Sequence, residues 1–365
     1  MDKQWMLAAG YLTILLMPTL FVLGALVQEP WLTFGVVILV FPLARVVFGA
    51  MPSTDAPEWR ERIATLLHGL PLAFACVLPA CVLPGLVLAA QSQTGKGSAV
   101  LGLGLSLWMT LLFATCVAHE LIHRRDKRHA SIGNMLAGFC GYPALGSEHL
   151  AHHARPGDTH LAEYPLKGES VWRFAGRRMI RITVELLGPG AQTWRPGAQS
   201  LTVMHTRVAL SCTALTWIGF TAIAGVPGMC LYLAAMLGVA FGVQLITYIQ
   251  HWGLGDDSIP GRIAYGRGWE DDCRFQAWVT LSLSLHDQHH RDSRRPFYRI
   301  GPSPDSPRLP AGYVLLMFAS LVPPVWRRVM ATPHQYWLAS PASPLSAGHR
   351  LTCFGLREPR SNTSP

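Results

Sequence analysis

Residues 100–123 read VLGLGLSLWMTLLFATCVAHELIH. Residues 100–118 contain no charged side chain, and about 20 mostly apolar residues suffice for a helix to cross a hydrocarbon core about 30 Å thick. His119 and His123 follow at once, four apart and therefore on one face of a helix. This stretch joins the two features on which the fold turns: a membrane span and, at its end, a pair of side chains suited to a metal.

The same hydropathy recurs on both sides. Further spans are expected near residues 5–27, 31–48, 66–90, 208–226 and 229–248, which makes about six transmembrane helices. Composition agrees: of 365 residues 50% are hydrophobic and 14% charged, with mean hydropathy +0.27, against about 25% charged in soluble domains. A disordered chain is excluded, and so is a disulfide scaffold, because the eight cysteines are scattered with no CxxC pair. The span at 66–90 contains Pro71, Pro79 and Pro84 and is expected to bend. Two apolar runs, 132–145 and 313–325, are too short to cross and read as interfacial or re-entrant pieces. The first span is too long for a cleaved signal peptide and lacks an A-x-A site. The expected architecture is an all-α integral membrane protein: one membrane-embedded domain over 1–340, then a loosely held Ser/Pro-rich tail over 341–365.

Orientation follows from the basic residues. The turns after the first, third and fifth spans hold only Lys96 of the chain's 30 Lys and Arg. The positive-inside rule therefore puts both termini and the long loops on the cytoplasmic side of an inner (plasma) membrane. The net charge of +9 suits anionic headgroups, or an acidic protein docking there; nucleic acid is not an expected partner.

The remaining histidines of interest fall on that same side. His149, His152 and His153 lie in EHLAHH, His251 in YIQHWGL just past the sixth span, and His286, His289 and His290 in HDQHH. Each HxxHH group offers three imidazoles along one helix face. Nine histidines overfill one zinc site, which takes three or four ligands. Over two metals they give four or five each and leave room for a small molecule. Ligation almost wholly by imidazole favours a redox metal such as iron or copper over magnesium or calcium. The residues thus point to a dinuclear centre at the cytoplasmic membrane surface. Two other readings use fewer of them. HELIH matches the HExxH of zinc metalloproteases, with Glu120 as base, and paired histidines on facing spans could hold a haem. Neither has a use for two HxxHH groups.

In these motifs the chain resembles the membrane-bound alkane 1-monooxygenases and xylene monooxygenase, within the wider fatty-acid desaturase-like group. The resemblance rests on HELIH followed by Arg124, EHLAHH, YIQHWGL, LSLHDQHH followed by residues 291–295, and GESVWRF at 168–174. It implies a non-haem di-iron enzyme that uses O2 to hydroxylate an unactivated C–H bond of a hydrophobic substrate, an alkane or the alkyl group of an aromatic. The ligands it implies are His119, His123, His149, His152, His153, His251, His286, His289 and His290. It also implies electrons from NAD(P)H through a reductase and a separate rubredoxin- or ferredoxin-type carrier. A desaturase or epoxidase would use the same frame. The chain departs from alkane hydroxylases in three places: HxxHH instead of HxxxHH in the second group, Gln250 where they carry Glu, and Gln288 where Asp precedes the last HH pair.

Four polar neighbours are expected to orient ligand imidazoles: Glu120, Glu148, Asp287 and Gln250. The alternative for the carboxylates is pairing with Arg124, Arg125 or Arg291, and for Gln250 capping of the sixth span. The arginines Arg291, Arg294, Arg295 and Arg299 are expected to present positive charge to a carrier. A substrate tunnel is expected between the first four spans.

Overall fold

The computed structural model describes residues 2–52, 58–91, 97–160, 164–189, 191–195, 197, 200–255 and 266–339; the 341–365 tail lies outside them. These residues build helices and no β-sheet, only isolated bridges such as that between Glu270 and Leu285. In chain order the helices are α1 (Lys3–Leu26), α2 (Leu32–Phe48), α3 (Glu61–Gln91), α4 (Gly97–Ile122), α5 (Lys127–Phe139), α6 (Leu145–Ala154), α7 (Val171–Leu187), α8 (Leu201–His251), α9 (Arg274–Val279), α10 (His286–Arg291), α11 (Tyr313–Leu321) and α12 (Pro323–Ala339). Four of them, α1, α3, α4 and α8, are long and apolar enough to cross a membrane. The chain is accordingly an integral membrane protein.

The 51-residue α8 is not one straight rod. Gly225 sits at φ 63°, in the left-handed region that only glycine enters freely, and Pro227 lacks the N–H that would continue the ladder. Thr213 and Tyr232 would lie about 28 Å apart along a straight helix. Their hydroxyls nevertheless both donate to Gly138 O, at 2.9 and 3.1 Å, and Tyr232 stacks near Phe220 with ring centroids 4.9 Å apart. The two halves therefore fold back on each other at Gly225, as the separate apolar stretches 208–226 and 229–248 require.

Helix α5 covers most of the run expected to be interfacial or re-entrant, and it is instead wedged inside the bundle. A Cβ on Gly133 would stand 2.8 Å from Leu121 Cβ on α4, and one on Gly138 would stand 2.2 Å from Ala209 O on α8. Asp126 starts this helix by accepting the Arg128 N–H at 2.7 Å. Helix α7 was not foreseen. Ser170 caps it, and it exposes Trp172, Ile180, Val184 and Leu187 alongside Arg173, with Arg181 half-buried, a pattern suited to a lipid–water boundary. Helix α3 runs unbroken through its three prolines.

Glycine at 138 is a packing requirement, and this can be measured. Gly138→Val should lower the thermal midpoint in detergent by the equivalent of about 1–3 kcal/mol, the usual cost of overpacking. Gly219→Ala, where a Cβ meets nothing within 4 Å, should leave it unchanged or raise it.

Candidate metal centre

The ends of α4 and α8 meet α6 and α10, and nine histidines converge there. They form two groups. His119, His123, His149, His153 and His289 make one; His152, His251, His286 and His290 make the other; within each, the candidate ligand nitrogens lie within 4.8 Å of one another. Helical periodicity explains the division. Each HxxHH helix sends its i, i+4 pair to one group and its i+3 member to the other: α6 gives His149 and His153 to the first and His152 to the second, and α10 gives His286 and His290 to the second and His289 to the first.

The rings meet through Nε2. In the first group His119 stands 2.6 Å from His149, His149 2.8 Å from His153, and His153 2.9 Å from His289. In the second, His251 and His286 are 2.9 Å apart, His286 and His290 3.1 Å, and His290 and His152 3.0 Å. Two imidazoles bound to one metal at about 2.0–2.1 Å and at right angles place their nitrogens about 3 Å apart. Hydrogen bonds alone do not satisfy such a ring of nitrogens: His123 Nε2 is buried with no partner among the described residues. His251 donates Nδ1–H to Arg267 O at 2.8 Å, which leaves its Nε2 lone pair free. Burial first, then the neighbouring histidines, holds His149, His152, His286, His289 and His290 well below the usual imidazole range, in the neutral form a metal needs. The donor set fits two transition metal ions.

The flanking polar residues do other work. Glu120 pairs with Arg124 at 3.5 Å, and Asp287 accepts from Arg291 at 2.9 Å, Ser306 Oγ at 2.8 Å and the Arg267 N–H at 2.9 Å. Gln250 donates its amide to Tyr313 Oη at 3.0 Å and Leu283 O at 3.4 Å, bridging α8 to α11. None of these three reaches an imidazole among the described residues. Glu148 accepts from Arg178 at 2.7 Å and, in a short bond, from Tyr142; Gln244 in turn donates to Tyr142 Oη at 2.7 Å. This buried chain ties α6, which carries three of the histidines, to α7 and α8. The sequence reading missed Tyr142, Arg178 and Gln244, although an amide at 244 inside a span was a usable sign. It also missed Tyr164, a buried ring 4.2 Å from His251 and 5.2 Å from His152 by centroid, whose hydroxyl donates to Arg267 O at 3.2 Å.

Two openings reach the histidines. An apolar cavity of about 190 Å³ ends at His119, His149, His152, His251 and His286, touching both groups. Its walls come from α2, α4, α6, the end of α8, the 276–286 segment and α11, so the first and third spans of the expected tunnel are not part of it. On the other side a polar cleft lined by Arg124, Arg125, Lys127 and Arg294 reaches His123 and His153.

The arrangement defines a class: helical membrane proteins in which paired histidine groups at the ends of spans face an apolar cavity. Residues 97–303 match the family model described as fatty acid desaturase, a stretch that holds all nine histidines, and the chain belongs to that family. It is 27% identical over 323 residues to alkane 1-monooxygenase 1 of Pseudomonas aeruginosa, with 81% of each chain covered. It is also 27% identical over 238 residues to the xylene/toluene monooxygenase hydroxylase component XylM of Pseudomonas putida, with 64% of each covered. An alkane 1-monooxygenase of Acinetobacter baylyi is 24% identical over 276 residues.

The Glu148–Arg178 pair is fully desolvated, so removing one partner should be severe. Arg178→Met is expected to cost about 3–5 kcal/mol by leaving a buried carboxylate uncompensated. Adding Glu148→Gln should recover much of that loss in a double-mutant cycle read by thermal unfolding.

Proposed function

We propose that this chain is a membrane-bound non-haem di-iron monooxygenase that hydroxylates an unactivated C–H bond of a hydrophobic substrate, an alkane or the alkyl or methyl group of an aromatic. The observation that carries the reading is the apolar cavity ending between two groups of convergent imidazoles. His119, His123, His149, His153 and His289 would hold one iron and His152, His251, His286 and His290 the other. Once bound there, and with electrons supplied from outside, iron would supply the oxygen-activating redox chemistry. The protein's share is placement: aromatic and aliphatic walls admit a molecule that partitions into the bilayer, exclude water, and hold it against the histidines. Arg267 O fixes the tautomer of His251, and the Glu148–Arg178 pair holds α6 in position.

In this reading the chain is one domain over residues 1–340 with six spans, the folded-back α8 counting as two and the 17-residue α2 as one. Its termini and metal centre lie on the cytoplasmic side of the inner (plasma) membrane, as the basic loops support. Electrons come from NAD(P)H through a reductase and a rubredoxin- or ferredoxin-type carrier. Arg125, Arg294, Arg295 and Arg299 outnumber Glu58 and Asp292 around one shallow surface concavity with Trp59, close to α10, and would meet an acidic carrier there; Arg291 pairs instead with Asp287. Arg295→Gln with Arg294→Gln should raise the apparent carrier requirement and flatten its salt dependence in neutral-lipid nanodiscs. Unchanged carrier dependence would place docking elsewhere.

The family match supports a second outcome on the same frame, desaturation or epoxidation. Purified protein should hold about two irons per chain, and His289→Ala should lose most of the metal of the first group. Under oxygen-18 gas, hydroxylation leaves label in the product and desaturation does not. Activity with a single zinc and no iron would instead favour the HELIH metalloprotease.

A further inference from the structure

The cavity is mostly apolar, yet its lining also carries Thr115, Gln250, Gln276, Thr280, Ser284 and Tyr313. Most of these polar groups have internal partners. Thr115 donates to Leu112 O at 2.6 Å, Thr280 to Gln276 O at 2.7 Å, and Gln250 to Tyr313 and Leu283. Two do not. Ser284 Oγ is fully buried and has no hydrogen-bond partner among the described residues. Gln276, a buried residue of the same lining, makes no side-chain hydrogen bond among the described residues, although its amide is not one of the fully enclosed, unpartnered groups.

The backbone that presents Ser284 is held firmly. Leu281 and Ser282 lie at φ 49° and 59°, a left-handed conformation unfavourable for both residues. Hydrogen bonds from Ser282 N to Ala277 O at 2.6 Å, between Tyr11 Oη and Ser282 Oγ at 3.2 Å, and from Asp271 N to Ser284 O at 2.9 Å hold the segment in place. Such strain persists where the surroundings over-determine it, and it collects at ligand sites. His286 follows two residues after Ser284. A buried hydroxyl without a partner is unfavourable, so the occupant of the cavity is expected to supply one.

We infer that Ser284 and Gln276 form a polar subsite in the substrate cavity, and that the molecule bound there is a hydrocarbon bearing one oxygen function near the carbon presented to the histidines. The ligand class is a hydrophobic alcohol, carbonyl compound or ether. The serine donates to, and the glutamine amide donates to or accepts from, that oxygen. This inference rests on the hydroxylase reading for the cavity being the substrate site, but binding tests it without turnover.

The experiment measures binding of n-octane and 1-octanol to the full chain in nanodiscs, by competition against a fluorescent alkyl probe. Both ligands are compared with wild type, Ser284→Ala and Gln276→Leu, so partition into lipid cancels for each ligand. Ser284→Ala should weaken 1-octanol about fivefold to tenfold, the range of one hydrogen bond, and change n-octane less than twofold. Gln276→Leu should weaken 1-octanol in the same selective way. The thermal midpoint of Ser284→Ala should not fall, because the hydroxyl contributes no internal bond. Equal effects on both ligands, no effect on either, or a destabilised Ser284→Ala would overturn the subsite, leaving the hydroxyl to water or to the fold. Iron content and oxygen-18 incorporation into octane, measured on the same preparations, report separately on the hydroxylase. Their failure beside intact alcohol selectivity would sink that reading and not the subsite.

Discussion

Nine imidazole lone pairs facing one another in a buried space is the constraint on which the rest of the structure depends. Without a cation between them the lone pairs repel, and the burial of six of the nine rings limits water as an alternative partner. The protein meets this by keeping the rings neutral and aiming Nε2 inward, with Nδ1 of His251 turned out to a carbonyl. The 3.6-residue period of the two facing HxxHH helices gives three rings to each group, and His119 with His123 from α4 and His251 from α8 complete them to five and four. The smaller group has one fewer candidate ligand, and the apolar cavity touches both groups.

Convergence of this kind needs rigid supports, because four separate segments supply the rings. Buried charge pairs provide them. Glu148 with Arg178 ties α6 to α7, and Glu169 with Arg177 at 2.9 Å ties the preceding loop to the same helix. Asp287, through Arg291, Ser306 and the backbone N–H of Arg267, ties α10 to the strand of chain that also fixes His251. In all three the carboxylate is buried, though Arg177 and Arg291 are only partly so; such pairs contribute little net stability over apolar substitutes, but removing the arginine leaves a charge with no solvent. Their value here lies in orientation. The acidic residues beside the histidines thus act on helices and loops more than on rings.

The two approaches to the histidines differ in chemistry as sharply as the two sides of a membrane. From one side come aromatic and aliphatic walls; from the other, an arginine-rich cleft reaching His123 and His153. In the proposed function this separates what enters from lipid from what arrives from water, so that a hydrophobic substrate and an electron carrier never compete for one path. The wedge of α5 between α4 and α8, made possible by Gly133 and Gly138, sets the spacing on which both approaches depend.

Hydropathy and spacing alone were enough to indicate helices, spans, nine histidines and their use in pairs, because these depend on local periods of 3.6 residues and on the length of apolar runs. The same local logic put a turn near Pro227, between the apolar runs 208–226 and 229–248; the structure turns the chain at Gly225. What each polar side chain touches was decided only by tertiary structure. Glu120, Glu148, Asp287 and Gln250 are adjacent in sequence to ligand-type histidines, but adjacent residues on a helix point about 100° apart. Their partners Arg178, Ser306 and Tyr313 lie 30, 19 and 63 residues away from Glu148, Asp287 and Gln250. Likewise the run at 132–145 has the length of an interfacial piece, and only the close approach of two neighbouring helices at its glycines makes it part of the core. The cavity's walls come from six separate segments of the chain, and the unpartnered hydroxyl of Ser284 is a property of that assembly, which no stretch of sequence carries by itself.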